Sequence, residues 1–217
     1  MMTLILGVDE AGRGPVIGPL VMCGVLIKEE KLEKLKKLGV KDSKLLSPKK
    51  REELSPKIKK IVDKYLIIQI WPEEIDSALE SDSLNLNWLE AHKTAEIINK
   101  LKPDKAIVDC PSPNLRRYED YLMNLLENKN IELLISHHAE KYESVAAASI
   151  LAKVTRDKEI EKLKKKYGDF GPGYSSNPIT QKFLKENWEK HPELFRKTWV
   201  TWKNHKKAKD QRKLGEF

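Results

Sequence analysis

Cysteine is nearly absent: the 217 residues contain two, Cys23 and Cys110. Two thiols cannot build a disulfide framework, and the scarcity fits a reducing compartment. Zinc spacing is missing as well. His137 and His138 are adjacent histidines with no Cys or His partner at ligand spacing, and they read as surface residues. There is no Gly-rich P-loop and no serine nucleophile elbow. The longest nearly apolar run, PVIGPLVMCGVLI at 15–27, holds two prolines and is too short to span a bilayer. No charged segment precedes the first apolar stretch, as a secretory signal would require. A soluble, cytoplasmic protein without a membrane partner is expected. Glutamine occurs only three times amid abundant Lys and Glu, which points toward a thermophile.

Hydrophobic residues make up 40% of the chain, enough for one substantial domain and an appendage. The formal net charge is +8, from 41 Lys plus Arg against 33 Asp plus Glu. That excess favours a polyanionic partner such as nucleic acid. A merely soluble, lysine-rich protein has the same signature.

Continuous apolar runs predict buried strands at LILGVD (4–9), PLVMCGVLIK (19–28), KYLIIQIW (64–71), KAIVDC (105–110) and IELLISHHA (131–139). Helical spacing appears in 47–65, with Ser47 as N-cap and Pro48 at the first helical position. It recurs in 85–101 and 144–168. Early strands followed by alternating helix and strand predict an α/β fold, a mixed sheet flanked by helices. After Gly168 a turn-rich link, DFGPGYSSNP, leads to helix-like stretches at 179–191 and 193–213, the second strongly basic. The expected division is a main domain over 1–170 and a small helical extension over 171–217.

The chemistry gathers where strands end. Asp9 and Glu10 follow LILGV, and Asp109 follows KAIV. Ligand sites in open α/β sheets collect at such edges. Carboxylates are hard oxygen ligands suited to Mg²⁺ or Mn²⁺. Neighbouring strand residues point to opposite faces, so Asp9 and Glu10 share one site only if the strand ends or twists there. The AGRG that follows is expected to supply the break. Singly, each acid could equally cap a helix or pair with a lysine. Gly12 and Gly14 allow unusual dihedrals and close approach to a ligand. Arg13 adds a donor fork suited to phosphate, or is the exposed residue of a tight turn.

In these blocks the sequence resembles the type 2 ribonucleases H, the ribonuclease HII family, and its archaeal branch. DEAGRGPVIGP (9–19), KDSK (41–44), AAASILAKVTRD (146–157), YGDFGPGYSSNP (167–178) and RKTWVTWK (196–203) match family blocks in order over nearly the whole chain. The resemblance implies an RNase H-like fold with a C-terminal helical extension. It implies a metal-dependent endonuclease that cuts the RNA strand of RNA–DNA hybrids and incises 5′ of ribonucleotides embedded in duplex DNA. The products carry 3′-hydroxyl and 5′-phosphate ends. Asp9, Glu10 and Asp109 map onto the family's catalytic acids. The fourth departs from the pattern: in HHAEKYESVAAASI an ungapped count places Ala139 at the family's aspartate, and a one-residue deletion places Glu140 there. Glu140 is taken as the fourth ligand; otherwise it is a solvated helix-start residue and three acids act.

The mechanism expected on this resemblance uses two cations about 3.5–4 Å apart, with Asp9 bridging. Gly12, Arg13, Gly14 and Tyr174 are implied to sense the ribose at the junction. Lys41, Ser43, Lys44, Ser149 and Lys153 resemble phosphate contacts. Arg196 and Lys197, with Lys203, Lys206 and Lys207, are expected to form a basic surface of sequence-independent affinity. Trp199 and Trp202 read as core. The final QRKLGEF places Gln211, Leu214 and Phe217 at the spacing of a sliding-clamp-binding peptide; the alternative is a frayed polar tail. Nothing demands more than a monomer. Two other readings stay open: a junction-type nuclease on the same fold, and a non-catalytic hybrid-binding protein whose acid site has decayed.

Overall fold

The sheet is organised around its first strand. β1 (Leu4–Ala11) pairs antiparallel with β2 (Leu20–Lys28), which pairs antiparallel with β3 (Lys64–Ile70). On its other side β1 pairs parallel with β4 (Lys105–Asp109), which pairs parallel with β5 (Glu132–Ser136). The order is therefore β3-β2-β1-β4-β5, the mixed sheet expected from the sequence. This computed structural model describes residues 3–40, 45–81 and 83–214, with side chains through 208. Lys41, Ser43, Lys44 and Phe217 lie outside the described residues, and Gln211 and Leu214 are described in backbone only.

Both faces of the sheet are covered. On one face α1 (Leu32–Leu38), α2 (Pro48–Ile61) and α6 (Glu143–Tyr167) bury Val21, Cys23, Val25 and Ile27. On the other, α3 (Pro72–Glu80), α4 (Leu86–Leu101) and α5 (Leu115–Leu125) bury Leu6, Val8, Met22 and Val108. Double coverage explains why the strands read as unbroken apolar runs. The helix starts follow local chemistry: Ser47 accepts from the Lys50 amide at 3.2 Å, and Asn85 from the Trp88 amide at 3.1 Å. Gly7 lets α6 descend onto the central strand, since a Cβ there would overlap the Ser144 and Val145 backbone. That approach brings the first turns of α6 beside the end of β1.

Among the described residues, the C-terminal part shares its core with the main domain. Phe170, Phe183 and Leu184 of the link and α7 (Pro178–Asn187) pack with Phe195 and Trp202 against Val16, Ile17 and Ile160. The final helix starts later than its sequence suggests. α8 runs Val200–Leu214, while Phe195 forms a β-bridge with Ile17 and the Arg196 amide donates to the Val16 carbonyl at 2.9 Å. Buried Asp76 of α3 then accepts from the Lys197 and Thr198 amides, at 2.8 and 3.0 Å. These non-local bonds hold 195–198 out of the helix that its composition favours. The fifth strand is likewise shorter than expected, ending at Ser136 before two exposed histidines.

Candidate active site

Val8 of β1 and Val108 of β4 are paired in parallel register, and the next residue of each strand is an aspartate. Asp9 and Asp109 therefore leave adjacent strand ends on the same face of the sheet. Chain direction then reverses after β5. His138 adopts a left-handed conformation with φ 55°, and a short 3₁₀ turn at Ala139–Lys141 carries Glu140 back over that edge. Asp109 Oδ1 accepts from the Ala139 amide at 2.8 Å, which ties the turn to β4. Carboxylate oxygens of Asp9, Asp109 and Glu140 all lie within 4.8 Å of one another. The choice of Glu140 over Ala139 agrees with this geometry, for Ala139 is wholly buried against Ile5, Ile107 and Val145.

The cluster has the electrostatics of a cation site. Asp9 Oδ1 accepts from the Glu10 amide at 2.7 Å, whereas buried Oδ2 has no hydrogen-bond partner among the described residues. Burial first, and then the charge of Asp109, push the Asp9 carboxyl up to about 7, with Ser149 and Lys153 pulling the other way. Three carboxylates closing on one point, one of them buried with an orphaned oxygen, match the donor set that Mg²⁺ or Mn²⁺ selects.

Glu10 lies outside that group of three. β1 continues without a break through Ala11, with Asp9 opposite Cys23 and Glu10 opposite Met22. The expected break after Glu10 comes too late to turn both acids one way. Glu10 faces the side covered by α4, where Glu90 is buried beside it. Its carboxyl is raised well above the ordinary value by burial and by the charges of Asp9, Glu90 and Asp109. Glu90 and Asn87 were not singled out in the sequence. They take the Arg13 side chain, whose Nε donates to Glu90 at 3.0 and 3.2 Å and whose Nη2 donates to Asn87 at 2.7 Å. Polar side chains at helix positions 87 and 90 are unremarkable until the loop they clasp is known.

Gly12 has φ +82°, and a Cβ there would overlap the Arg156 side chain. Its missing side chain thus faces the protein interior rather than a ligand. Gly14 is different: a Cβ would stand 3.5 Å from the exposed Tyr174 ring, an ordinary contact. Lys153 donates to the buried Ser149 hydroxyl at 2.9 Å, one turn apart on α6 beside Asp9. Lys197, Lys203, Lys206 and Lys207 are exposed. Arg196 is not part of that surface, which corrects the sequence reading. It is fully buried, and its guanidinium donates to the carbonyls of Gly12, Arg13 and Gly18. Trp199 and Trp202 pack inward as expected.

A family model described as Ribonuclease HII matches residues 6–203. Ribonuclease HII of Thermococcus sibiricus is 47% identical, over 97% of this chain and 96% of that one. Among solved structures, ribonuclease H2 from Pyrococcus horikoshii superimposes with a TM-score of 0.86 at 43% identity, covering 94% of this chain and 98% of that one. A PCNA:RNase HII complex from Archaeoglobus fulgidus matches with a TM-score of 0.80 at 42% identity, covering 92% and 94%.

Proposed function

The chain belongs to the ribonuclease HII family and is a metal-dependent type 2 ribonuclease H acting on RNA–DNA hybrids, and from this premise we propose that it also incises 5′ of ribonucleotides embedded in duplex DNA. Asp9, Asp109 and Glu140 are its ligand set, with Glu10 acting from the opposite face of β1. The convergence of three carboxylates within 4.8 Å carries this assignment.

A divalent cation held there supplies Lewis-acid polarisation of the scissile phosphate and activation of the attacking water. The protein's part is to aim the ligands. The Glu10 amide fixes one Asp9 oxygen, so that the other would be available to a cation, while the Ala139 amide orients Asp109. Lys153, beside Asp9, offers positive charge to the phosphate. Tyr174 presents its exposed ring next to Gly14, where a sugar can stack while the loop amides meet the 2′-hydroxyl. The exposed lysines at 197, 203, 206 and 207 add salt-sensitive, sequence-independent affinity. Residues 1–170 and the extension 171–217 act together on the substrate. Lys41, Ser43 and Lys44 are assigned to phosphate contacts by motif.

The test is a DNA duplex with one ribonucleotide, incubated with Mg²⁺ or Mn²⁺ and then with EDTA. A single cut on the 5′ side of the ribonucleotide, lost in EDTA, is expected. Cleavage of all-DNA junctions would favour the junction-type nuclease, and binding without cleavage under every metal the non-catalytic reading.

A sliding clamp is the second partner assigned here. The Archaeoglobus relative is solved with PCNA, and in this sequence Gln211, Leu214 and Phe217 have the docking-peptide spacing, the first two of them at the end of α8. Truncation after residue 210 should abolish clamp association while the isolated enzyme still cuts; undiminished association would remove the tail from this role.

A further inference from the structure

Three successive carbonyls of the GRG loop point at the same two side chains. Arg196 Nη2 donates to Gly12 at 2.6 Å, Arg196 Nη1 to Arg13 at 2.8 Å, and Trp199 Nε1 to Gly14 at 3.0 Å. Arg196 Nε adds the Gly18 carbonyl at 3.1 Å. A buried arginine normally meets a carboxylate; this one spends its donors on main-chain oxygens. The Trp199 ring lies 4.8 Å from the guanidinium carbon, and Asp76 holds the following backbone amides in place. Arg196 and Trp199 thus form a rigid bracket between the C-terminal extension and the loop after β1.

The N–H and C=O of one peptide unit point in opposite directions. Drawing the Gly12 and Arg13 carbonyls inward turns the amides of Arg13 and Gly14 outward. Neither amide has a hydrogen-bond acceptor among the described residues. The Arg13 side chain cannot pull the loop away, because Glu90 and Asn87 clasp it. Two successive donors sit on a fixed backbone, and Gly14, which carries the second, stands beside the exposed Tyr174 ring.

We propose that Arg196, assisted by Trp199, is a positioning residue for ribose discrimination: it holds the GRG carbonyls inward so that the Arg13 and Gly14 amides can donate to a 2′-hydroxyl oxygen. This rests on the sugar-sensing reading of the loop given above. Deoxyribose offers no such acceptor, so the bracket's contribution is confined to ribonucleotide-containing substrates. The role differs from that of the neighbouring Lys197, which faces solvent and meets any backbone alike.

The experiment measures binding to two duplexes of one sequence, all-DNA and with a single ribonucleotide, by fluorescence anisotropy with Ca²⁺ replacing Mg²⁺. The wild-type preference for the ribonucleotide duplex tests the sugar-sensing reading itself. Arg196→Lys keeps the charge but loses the planar fork, and should reduce that preference roughly tenfold or more. Trp199→Phe removes one donor and keeps the ring, and should reduce it about three- to tenfold. Affinity for all-DNA duplex, and Mn²⁺ affinity by calorimetry, should hold in both. Lys197→Ala should weaken both duplexes equally. If the wild type discriminates and both variants discriminate as well as it does, the bracket is only structural and the proposal is overturned. A wild type without preference would instead overturn the sugar-sensing reading beneath it. Should Arg196→Lys fail to fold by circular dichroism, Trp199→Phe decides alone.

Discussion

Asp9 and Asp109 each stand one residue beyond Val8 and Val108, a directly paired position of two neighbouring parallel strands. Strand register alone, without any loop, puts a pair of carboxylates side by side at the sheet edge. In an antiparallel pair the matching partner would sit near the start of its strand rather than at its end, as Cys23 of β2 does opposite Asp9. The third acid arrives on the turn after β5 and needs the Ala139–Asp109 hydrogen bond to reach the same point.

Gathering carboxylates at a buried edge is costly unless a cation balances them. The Asp9 carboxyl is raised to about 7 by burial and by Asp109, so the native state binds its proton more tightly than the unfolded chain does. In EDTA, stability should therefore fall as pH rises from about 4 to about 7. Asp9→Asn should stabilise the metal-free protein at pH 8 by roughly 2–4 kcal/mol and abolish cleavage. Saturating Mg²⁺ should stabilise the wild type, by about 2.7 kcal/mol at a hundred times the dissociation constant, and leave the variant almost unmoved. Thermal denaturation with and without EDTA reads both effects. An Asp9→Asn protein no more stable than wild type without metal would contradict the repulsion argument.

Glu140 should be needed for metal retention. Outer-shell partners of a metal site are worth roughly ten- to a hundredfold in affinity, and a direct ligand should exceed that. Glu140→Ala is expected to weaken Mn²⁺ binding by at least this factor and to lower the single-turnover cleavage rate. Glu140→Asp should recover part of both, because the 3₁₀ turn still aims the shorter carboxylate at Asp109. Calorimetric titration together with cleavage under excess enzyme separates affinity from rate. Normal cutting by Glu140→Ala would leave three acids at work.

The sheet, its helices and the acids at strand ends were legible because each is a local pattern: apolar runs of strand length, a Ser-Pro helix start, a carboxylate where the run stops. Glu140 was legible only through the family pattern, since its place depends on a turn that local sequence does not specify. Glu10 was read into the same cluster as Asp9, yet an uninterrupted β1 turns it to the other face. Arg196 departs from its sequence pattern for a related reason. A basic stretch reads as solvated, and nothing in RKTWVTWK reveals that four carbonyl contacts 178–184 residues away in sequence await its first residue. Non-local hydrogen bonds decided what composition could not.

The two loop glycines should answer differently to the same added methyl. Gly12 combines φ +82° with the Arg156 side chain directly against its open side, so Gly12→Ala should destabilise the fold by about 1–3 kcal/mol. Gly14→Ala meets only the Tyr174 ring at contact distance and should unfold as the wild type does, with its effect confined to ribonucleotide binding. Equal losses of melting temperature in the two variants would refute this asymmetry.

The basic face of α8 should act through salt rather than through sequence or sugar. Lys203, Lys206 and Lys207 are exposed on a helix that starts at Val200, immediately after the segment bracketing the GRG loop. Each lysine that neutralises a phosphate releases condensed counterions, and the slope of log affinity against log salt changes by about 0.9 per contact on duplex DNA. Replacing all three with Ala should flatten that slope by roughly 2–3, weaken all-DNA and ribonucleotide-containing duplexes to the same degree, and raise KM with little change in kcat. None of the three belongs to the carboxylate cluster, and their position on α8, after residue 196, leaves the Arg196 contacts in place. An unchanged salt slope would make this face ordinary solvated surface and place the duplex on another side of the molecule.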